Sequence, residues 1–270
     1  MHYKDQLNNS LYFTATPKRI VSLVPSQTEL LVDLGLEHYI VGVTKFCVHP
    51  SNIRKSKTVV GGTKSVHFDK IRALKPDIIL CNKEENTLDM VEELRSIAQV
   101  HLSDIYTLDD SLELIAQYGQ LFKVNAVSER LIKTIKDRNI AFKSSLKLTS
   151  KPRVAYFIWK RPWMVAASNT FIDHMLELNG FENVFNGRTR YPEIQLNELR
   201  LLDVDLILLS SEPYPFKDKD VAELSKEIDN PNVCIVDGEF FSWYGSRLLG
   251  AFEYFNDFHN ELSSNEAFQK

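Results

Sequence analysis

The chain repeats one long pattern, and the repeat limits the folds available to it. A strand-like segment that begins at Arg19 (Arg-Ile-Val-Ser-Leu-Val) leads into a helical segment that ends at a glycine, and a second copy begins at Arg153 (Arg-Val-Ala-Tyr-Phe-Ile). Later, Leu74-Lys-Pro-Asp-Ile-Ile-Leu is echoed by Leu202-Asp-Val-Asp-Leu-Ile-Leu. Each half therefore predicts strand, helix, loop, helix and buried strand. Two similar α/β lobes imply a cleft between them, and clefts are where ligands bind.

Composition narrows the classes of partner. The 270 residues can form one large domain or two modest ones, and 44% hydrophobic with 25% charged residues is ordinary for a globular protein. The net charge of −4 gives no basic surface, so we expect no nucleic-acid partner. No run approaches the roughly 18 apolar residues of a membrane span.

The segment between the two repeats has a character of its own. From Ser111 to about Leu148 it contains no proline, and its apolar residues recur at helical spacing. Gly119 and the region around Asn125 could divide it into two pieces. It is either a pair of ordinary amphipathic helices or a stiff connector. We favour the connector and predict an N-terminal lobe at 19–110, a connecting backbone helix at 111–150 and a C-terminal lobe at 151–270.

The termini and cysteines bear on the cellular compartment. Residues 1–10 lack the basic start and apolar core of a secretory signal, so a chain complete at Met1 would be cytoplasmic, whereas an exported one would have had its signal removed. The three cysteines are scattered and odd in number, which predicts no disulfide framework.

Four segments in order carry a family resemblance: Arg19-Ile-Val-Ser-Leu-Val-Pro-Ser-Gln-Thr-Glu-Leu, Val41-Gly-Val-Thr, Leu74-Lys-Pro-Asp-Ile-Ile-Leu and Ser242-Trp-Tyr-Gly-Ser-Arg. Together they resemble the substrate-binding components of ABC importers. The likeness is to the cluster that takes up cobalamin, iron-siderophores and haem, and above all to its periplasmic cobalamin-binding members. It implies an α/β fold of two Rossmann-like lobes with parallel sheets joined by a long backbone helix. It also implies a periplasmic location and an ABC permease as partner if the protein is exported.

Candidate ligand-binding residues lie in the loops after the predicted strands, because ligands of open α/β sheets meet the carboxyl ends of the strands. These loops combine polar groups with flat aromatic rings, which suit a flat macrocycle. Alternatively, half of the aromatic residues pack in the core or at a hinge, and Arg247 could pair with Glu239. The predicted set is Gln27, Lys45, Phe46, Asn82, Trp159, Trp163, Tyr214, Phe240, Trp243 and Arg247.

Two further sets of residues are candidates for other contacts. Cys47 and His49 form a tight thiol–imidazole pair that could bind a transition metal, but an ordinary loop is the simpler interpretation. The resemblance implies one acidic residue on each lobe that docks onto permease arginines, and Asp89 and Glu223 are nearest by position. Solvated helix surface is the alternative for both.

The function that these observations predict is non-enzymatic binding of a metal-containing macrocycle or chelate. The implied ligand is cobalamin or an iron complex, no intrinsic cofactor is expected, and the protein is expected to be a monomer. The chain has no P-loop, nucleophile elbow or His-Glu-x-x-His motif. The alternatives are a cytoplasmic enzyme that uses His49, Glu84 or Glu239 in the same cleft, an intracellular metal-complex carrier, or a ligand-sensing or partner-docking module.

Overall fold

The described residues divide into two compact units. The computed structural model describes residues 1–147, 150–228 and 232–264. The first unit comprises Met1–Ile105, Asp109–Thr134 and Tyr244–Arg247. The second comprises Tyr106–Leu108, Ile135–Trp243 and the chain from Leu248 onward. Four residues that follow the second repeat in sequence, Tyr244–Arg247, thus belong to the first unit.

The first unit is built on a parallel sheet. An antiparallel hairpin at the N-terminus precedes five parallel strands in the order β5-β4-β3-β6-β7. Every residue of β6 is buried, as expected for a central strand covered on both faces. The strands are β1 (His2–Lys4), β2 (Ser10–Tyr12), β3 (Ile20–Ser22), β4 (Ile40–Val43), β5 (Thr58–Val59), β6 (Ile78–Asn82) and β7 (Gln99–Ser103).

Helices connect these strands and continue beyond them. Helices α1 (Pro25–Asp33), α2 (Ile53–Ser56), α3 (Phe68–Leu74) and α4 (Leu88–Arg95) alternate with the strands, and a short 3-10 helix spans Glu37–Tyr39. Residues 148 and 149 of the predicted helical stretch 111–150 lie outside the described residues, and its described part contains two helices, α5 (Leu108–Leu121) and α6 (Asn125–Ser145). Between them Lys123 has a left-handed backbone (φ 61°), which ends the first helix. Helix α6 contributes residues to both units.

The second unit also has a five-stranded sheet. Parallel strands follow the order β10-β8-β11-β12, and β9 runs antiparallel to β8. The strands are β8 (Arg153–Trp159), β9 (Met164–Val165), β10 (Glu182–Asn183), β11 (Leu206–Ser210) and β12 (Val233–Val236). The helices are α7 (Phe171–Leu178), α8 (Asp218–Ile228), α9 (Gly238–Ser242) and α10 (Leu248–Ser264), with 3-10 turns at Leu196–Leu201 and Gly245–Arg247.

The sequence repeat is matched by equivalent hydrogen bonds in the two units, made by residues that lie just before the central buried strands. The Arg19 guanidinium donates to the carbonyls of Leu74 and Lys75, and Asp77 accepts from the backbone N–H of Arg19. In the second unit the Arg153 guanidinium donates to the carbonyls of Leu202 and Asp203, and Asp205 accepts from the backbone N–H of Arg153. Lys75 and Asp203 both adopt the left-handed conformation, at φ 46° and 45°. The two α/β lobes predicted from the repeat, and the parallel sheets implied by the family resemblance, are confirmed.

Aromatic packing secures the C-terminal helix within the second unit. Phe142, on the part of α6 that belongs to this unit, has no exposed surface. Its ring lies 5.9 Å from that of Phe252 and 5.8 Å from that of Phe255, both on α10.

Within the described ranges, no helix combines the length and apolar character needed to cross a membrane.

Candidate functional site

Gln27 lies at the centre of a buried hydrogen-bond network in the first unit. Its amide nitrogen donates to the hydroxyls of Ser103 (2.7 Å) and Tyr244 (3.0 Å), and its amide oxygen accepts from the hydroxyl of Tyr118 (2.7 Å). Both amide hydrogens are therefore used inside the protein. The structure assigns Gln27 a role in joining α1, β7 and α5, and its predicted contact with a ligand remains a prediction.

Asn82, at the carboxyl end of β6, is also buried and engaged. Its side-chain nitrogen donates to Ser103 (3.0 Å), and its oxygen accepts from the backbone N–H groups of Glu84 (2.8 Å) and Glu85 (3.2 Å). The side chain thereby shapes the loop that follows the strand, as asparagine does in Asx turns. Its predicted role in ligand binding is untested by this geometry.

Arg247 binds a carboxylate of its own unit. Its Nε and Nη2 donate to the two carboxylate oxygens of Glu29 at 3.0 and 2.7 Å, a bidentate pair in which the side chains are only 14% and 17% exposed. Burial raises the pKa of Glu29, against the opposing charge of Arg247. The partner is Glu29 on α1, whereas the sequence had offered Glu239 as the alternative to a ligand.

The loop after β4 exposes an aromatic ring. Phe46 is 48% exposed, and the Lys45 ammonium lies 5.0 Å from its ring centroid. Gly62 approaches the same ring, since a Cβ built there would lie 3.3 Å from Phe46. This loop thus presents a flat apolar surface beside a positive charge at the carboxyl end of the sheet.

Cys47 points into the protein beside two threonines. Its Sγ lies 3.1 Å from the Thr28 hydroxyl and 3.3 Å from the Thr44 hydroxyl, and burial raises the pKa of the thiol. A raised pKa opposes the thiolate form that binds metals. In the described part of the chain, no group of three or more His, Cys, Asp or Glu residues could hold a metal ion. A metal role for Cys47 and His49 stays a prediction.

In the second unit, β8 ends on an exposed tryptophan. Trp159 is 39% exposed, and its ring meets Tyr214 edge-on with centroids 5.6 Å apart. Tyr214 continues edge-on to Phe216 at 4.7 Å. An exposed indole braced by a second ring keeps a flat surface open at the carboxyl end of this sheet as well.

Trp163 has a more enclosed position in the same loop. Its ring is parallel to Phe216 at 6.2 Å and perpendicular to Phe157 at 5.5 Å. The ammonium of Lys160 lies 5.3 Å from its centroid, within the range of a cation–π contact. Trp163 is therefore partly a packing residue.

Trp243 and Phe240 differ from the predicted open loop. Phe240 lies within helix α9, which Asp237 caps by accepting from the N–H of Glu239 (3.0 Å), and Trp243 follows the end of this helix. Phe240 stacks on Tyr254 with centroids 4.7 Å apart. Trp243 is buried, and its indole N–H donates to Glu212 at 2.7 Å.

The carboxylate of Glu212, which follows β11, accepts hydrogen bonds from two side chains. Besides Trp243, the hydroxyl of Ser242 donates to the same oxygen at 2.8 Å. Burial raises the pKa of Glu212 although both hydrogen bonds lower it. The nearby acids Glu239 and Asp237 raise it further. Three acidic residues, Glu212, Asp237 and Glu239, are thus close enough to interact at this end of the second unit.

The two predicted docking acids have different surroundings. Asp89 is exposed in the first turn of α4, where a carboxylate is favoured by the helix dipole. Glu223 is half-exposed on α8 and accepts from the Lys160 ammonium at 2.8 Å. The role of each in docking stays a prediction.

Sequence reasoning missed the partners that hold these side chains. Ser103, Tyr118 and Glu29 complete the contacts of Gln27, Asn82 and Arg247. These partners are far apart along the chain, up to 218 positions for Arg247 and Glu29. The one local signal was Glu29 itself, an acidic residue within the first strand–helix motif.

Comparison with known proteins identifies the class. Residues 20–230 match the periplasmic binding protein family, and the chain belongs to that family. An ABC transporter substrate-binding lipoprotein of Bacillus subtilis, YvrC, is 24% identical over 259 residues, which covers 92% of this chain and 82% of that protein.

Solved structures show the same fold. The periplasmic vitamin B12 binding protein BtuF of Vibrio cholerae superposes with a TM-score of 0.78 at 19% identity, over 93% of this chain and 99% of that one. The periplasmic haem-binding protein RhuT of Roseiflexus gives a TM-score of 0.75 at 20% identity, over 89% and 98%. The two-lobe fold implied by the sequence resemblance is confirmed.

Proposed function

We propose that this protein binds a metal-containing macrocycle or chelate without chemical turnover and delivers it to an ABC permease. The ligand classes are a corrinoid, a haem or an iron-siderophore. The metal then belongs to the cargo rather than to a resident cofactor. Export to the periplasm or its equivalent, and docking through Asp89 and Glu223, form part of the same proposal.

The observation that carries the proposal is the exposure of one aromatic ring at the carboxyl ends of each sheet. Phe46 in the first unit and Trp159 in the second remain 48% and 39% exposed. A large aromatic side chain can bury about 150–250 Å². The exposed portions therefore offer roughly 80–100 Å² each, worth about 2 kcal/mol per ring if a flat ligand covers them.

The similar proteins support the same reading. The matched family consists of periplasmic binding proteins, YvrC is named for an ABC transporter, and the two structural neighbours are named for vitamin B12 and haem. These are names of binding proteins, which favours binding over catalysis. They give no support to the cytoplasmic alternative.

Titration of the purified protein with cyanocobalamin, haemin and a ferric hydroxamate, followed by tryptophan emission, tests the proposal. We expect saturable one-to-one binding of one of the three. Phe46→Ala and Trp159→Ala should each weaken it by about 30-fold, which corresponds to about 2 kcal/mol.

Tyr12→Ala provides the matched control. Tyr12 is 64% exposed on the N-terminal hairpin, so its replacement removes a similarly exposed aromatic ring that lies outside the loops at the carboxyl ends of the strands. Its affinity should equal that of the wild type. Binding that is indifferent to Phe46 and Trp159, or no binding of any probe, would refute the proposal.

A further inference from the structure

Lys160 is a buried cation in the loop that follows Trp159. Its side chain is 6% exposed, and its ammonium donates to Asp220 at 2.7 Å and to Glu223 at 2.8 Å. Both acids lie on α8 three positions apart, so they share one face of that helix. Burial lowers the pKa of Lys160, but the hydrogen bonds and charges of Asp220 and Glu223 outweigh it and raise the pKa, which keeps the ammonium charged.

The two carboxylates hold Lys160 in unequal ways. Asp220 is 2% exposed and also accepts from the backbone N–H of Lys217 at 2.9 Å, which fixes it at the start of α8. Lys160 and Asp220 alone form a neutral buried pair. Glu223 is 48% exposed and adds one negative charge at the helix surface. A pair exposed to this degree contributes about 0.2–1 kcal/mol, so loss of the Glu223 charge weakens the hold on Lys160 while the contact to Asp220 preserves the fold.

Lys160 also lies at the base of the aromatic loop. Its ammonium contacts the Trp163 ring at 5.3 Å, and its backbone neighbour is the exposed Trp159. The Trp163 ring packs on Phe216, which packs on Tyr214, and Tyr214 braces Trp159. A continuous series of contacts thus connects the Glu223 carboxylate on α8 with the exposed Trp159 indole, and all of its residues belong to the second unit.

We propose that Lys160 is a positioning residue for the loop Trp159–Trp163. Glu223 acts through Lys160, so that loss of the Glu223 charge loosens this loop and weakens its hold on ligand. The effect on ligand affinity rests on the proposed function. Glu223 acts through Lys160 and need not touch the ligand.

Glu223→Gln tests the inference, since it removes the charge and keeps the shape. Glu227→Gln is the matched control, one turn further along α8 and likewise exposed. We expect Glu223→Gln to weaken binding of the probe that the wild type binds by about three- to fivefold, the fold-change that corresponds to the upper part of the range for such pairs. Glu227→Gln should leave the affinity unchanged.

A Lys160→Gln background separates positioning from a general structural effect. Its amide can still donate to Asp220, but the charge that Glu223 contacts is gone. Because the buried Asp220 carboxylate then lacks a cation, circular dichroism first establishes that this background is folded. In that background Glu223→Gln should add no further weakening. Equal affinities for Glu223→Gln and Glu227→Gln, or an undiminished effect in the Lys160→Gln background, would overturn the inference.

Tryptophan emission without ligand keeps the test independent of the proposed function. Because Lys160 contacts the Trp163 ring, Glu223→Gln should change the emission intensity or its quenching by iodide, whereas Glu227→Gln should not. If no probe binds the wild type, the proposed function fails while this readout still decides the positioning role. Identical spectra for the two variants would refute that role directly.

Discussion

Replacing Arg247 with methionine should destabilise the protein, because Arg247 balances a buried carboxylate. The bidentate contacts to Glu29 are 2.7 and 3.0 Å long, and both side chains are mostly buried. Breaking a fully buried pair costs about 3–5 kcal/mol. With 14% and 17% of the two side chains exposed, we expect about 2–3 kcal/mol. That corresponds to a fall of about 6 °C in Tm for a chain of this size.

The pH dependence of this loss identifies its cause. Burial already raises the pKa of Glu29, and losing Arg247 raises it further. A carboxyl group whose pKa is raised on folding favours the folded state at low pH and loses that contribution as pH rises through the folded pKa. The deficit of Arg247→Met should therefore grow from about pH 4 to about pH 7.

Urea unfolding across this pH range, followed by circular dichroism, measures the deficit. Adding Glu29→Gln to Arg247→Met should recover most of it, because the unpaired charge is then absent. Arg54→Met is the control, since the Arg54 guanidinium binds the exposed Lys45 carbonyl, and it should change stability by less than about 0.5 kcal/mol. A deficit that is the same at every pH, or that Glu29→Gln fails to relieve, would refute the reasoning.

Two further predictions concern buried side chains in each unit. Phe142→Ala should lower the free energy of unfolding by about 3–5 kcal/mol, because it opens a cavity beside the rings of Phe252 and Phe255. Urea unfolding measures this loss, and a value below about 1 kcal/mol would contradict that packing. Burial lowers the pKa of His101, so wild-type stability should fall as pH drops below about 6.5 toward the folded pKa. His101→Gln should lack this fall, and equal pH profiles would show that His101 is not its source.

The sequence contained most of the fold because the repeat is a local signal. The Leu74-Lys-Pro-Asp motif predicts a helix end and a buried strand, and the structure shows why those residue types recur. Lys75 ends α3 in a left-handed conformation, while Asp77 accepts the backbone N–H of Arg19 before the paired strand begins. The same contacts recur at Arg153 and Asp205, although these two residues are 52 positions apart rather than 58, because the order of residues within the Leu-x-x-Asp motif is the same.

The candidate site was less predictable because its partners are distant in sequence. The rule that ligands meet strand carboxyl ends pointed to loops in which the structure exposes Phe46 and Trp159. That rule does not show which of the side chains in these loops already make hydrogen bonds within the protein. Gln27, Arg247 and Trp243 reach partners 76, 218 and 31 positions away. Residue type alone does not distinguish such internal contacts from contacts to a ligand.

The most direct test of the central claim is the visible absorption spectrum of the folded protein purified from its native host. The proposed function predicts the band of a corrin, a haem or a ferric chelate at about one ligand per chain. The band should diminish in the Phe46→Ala and Trp159→Ala variants purified in parallel. A wild-type protein that stays colourless, even after exposure to extract of the same cells, would contradict the claim.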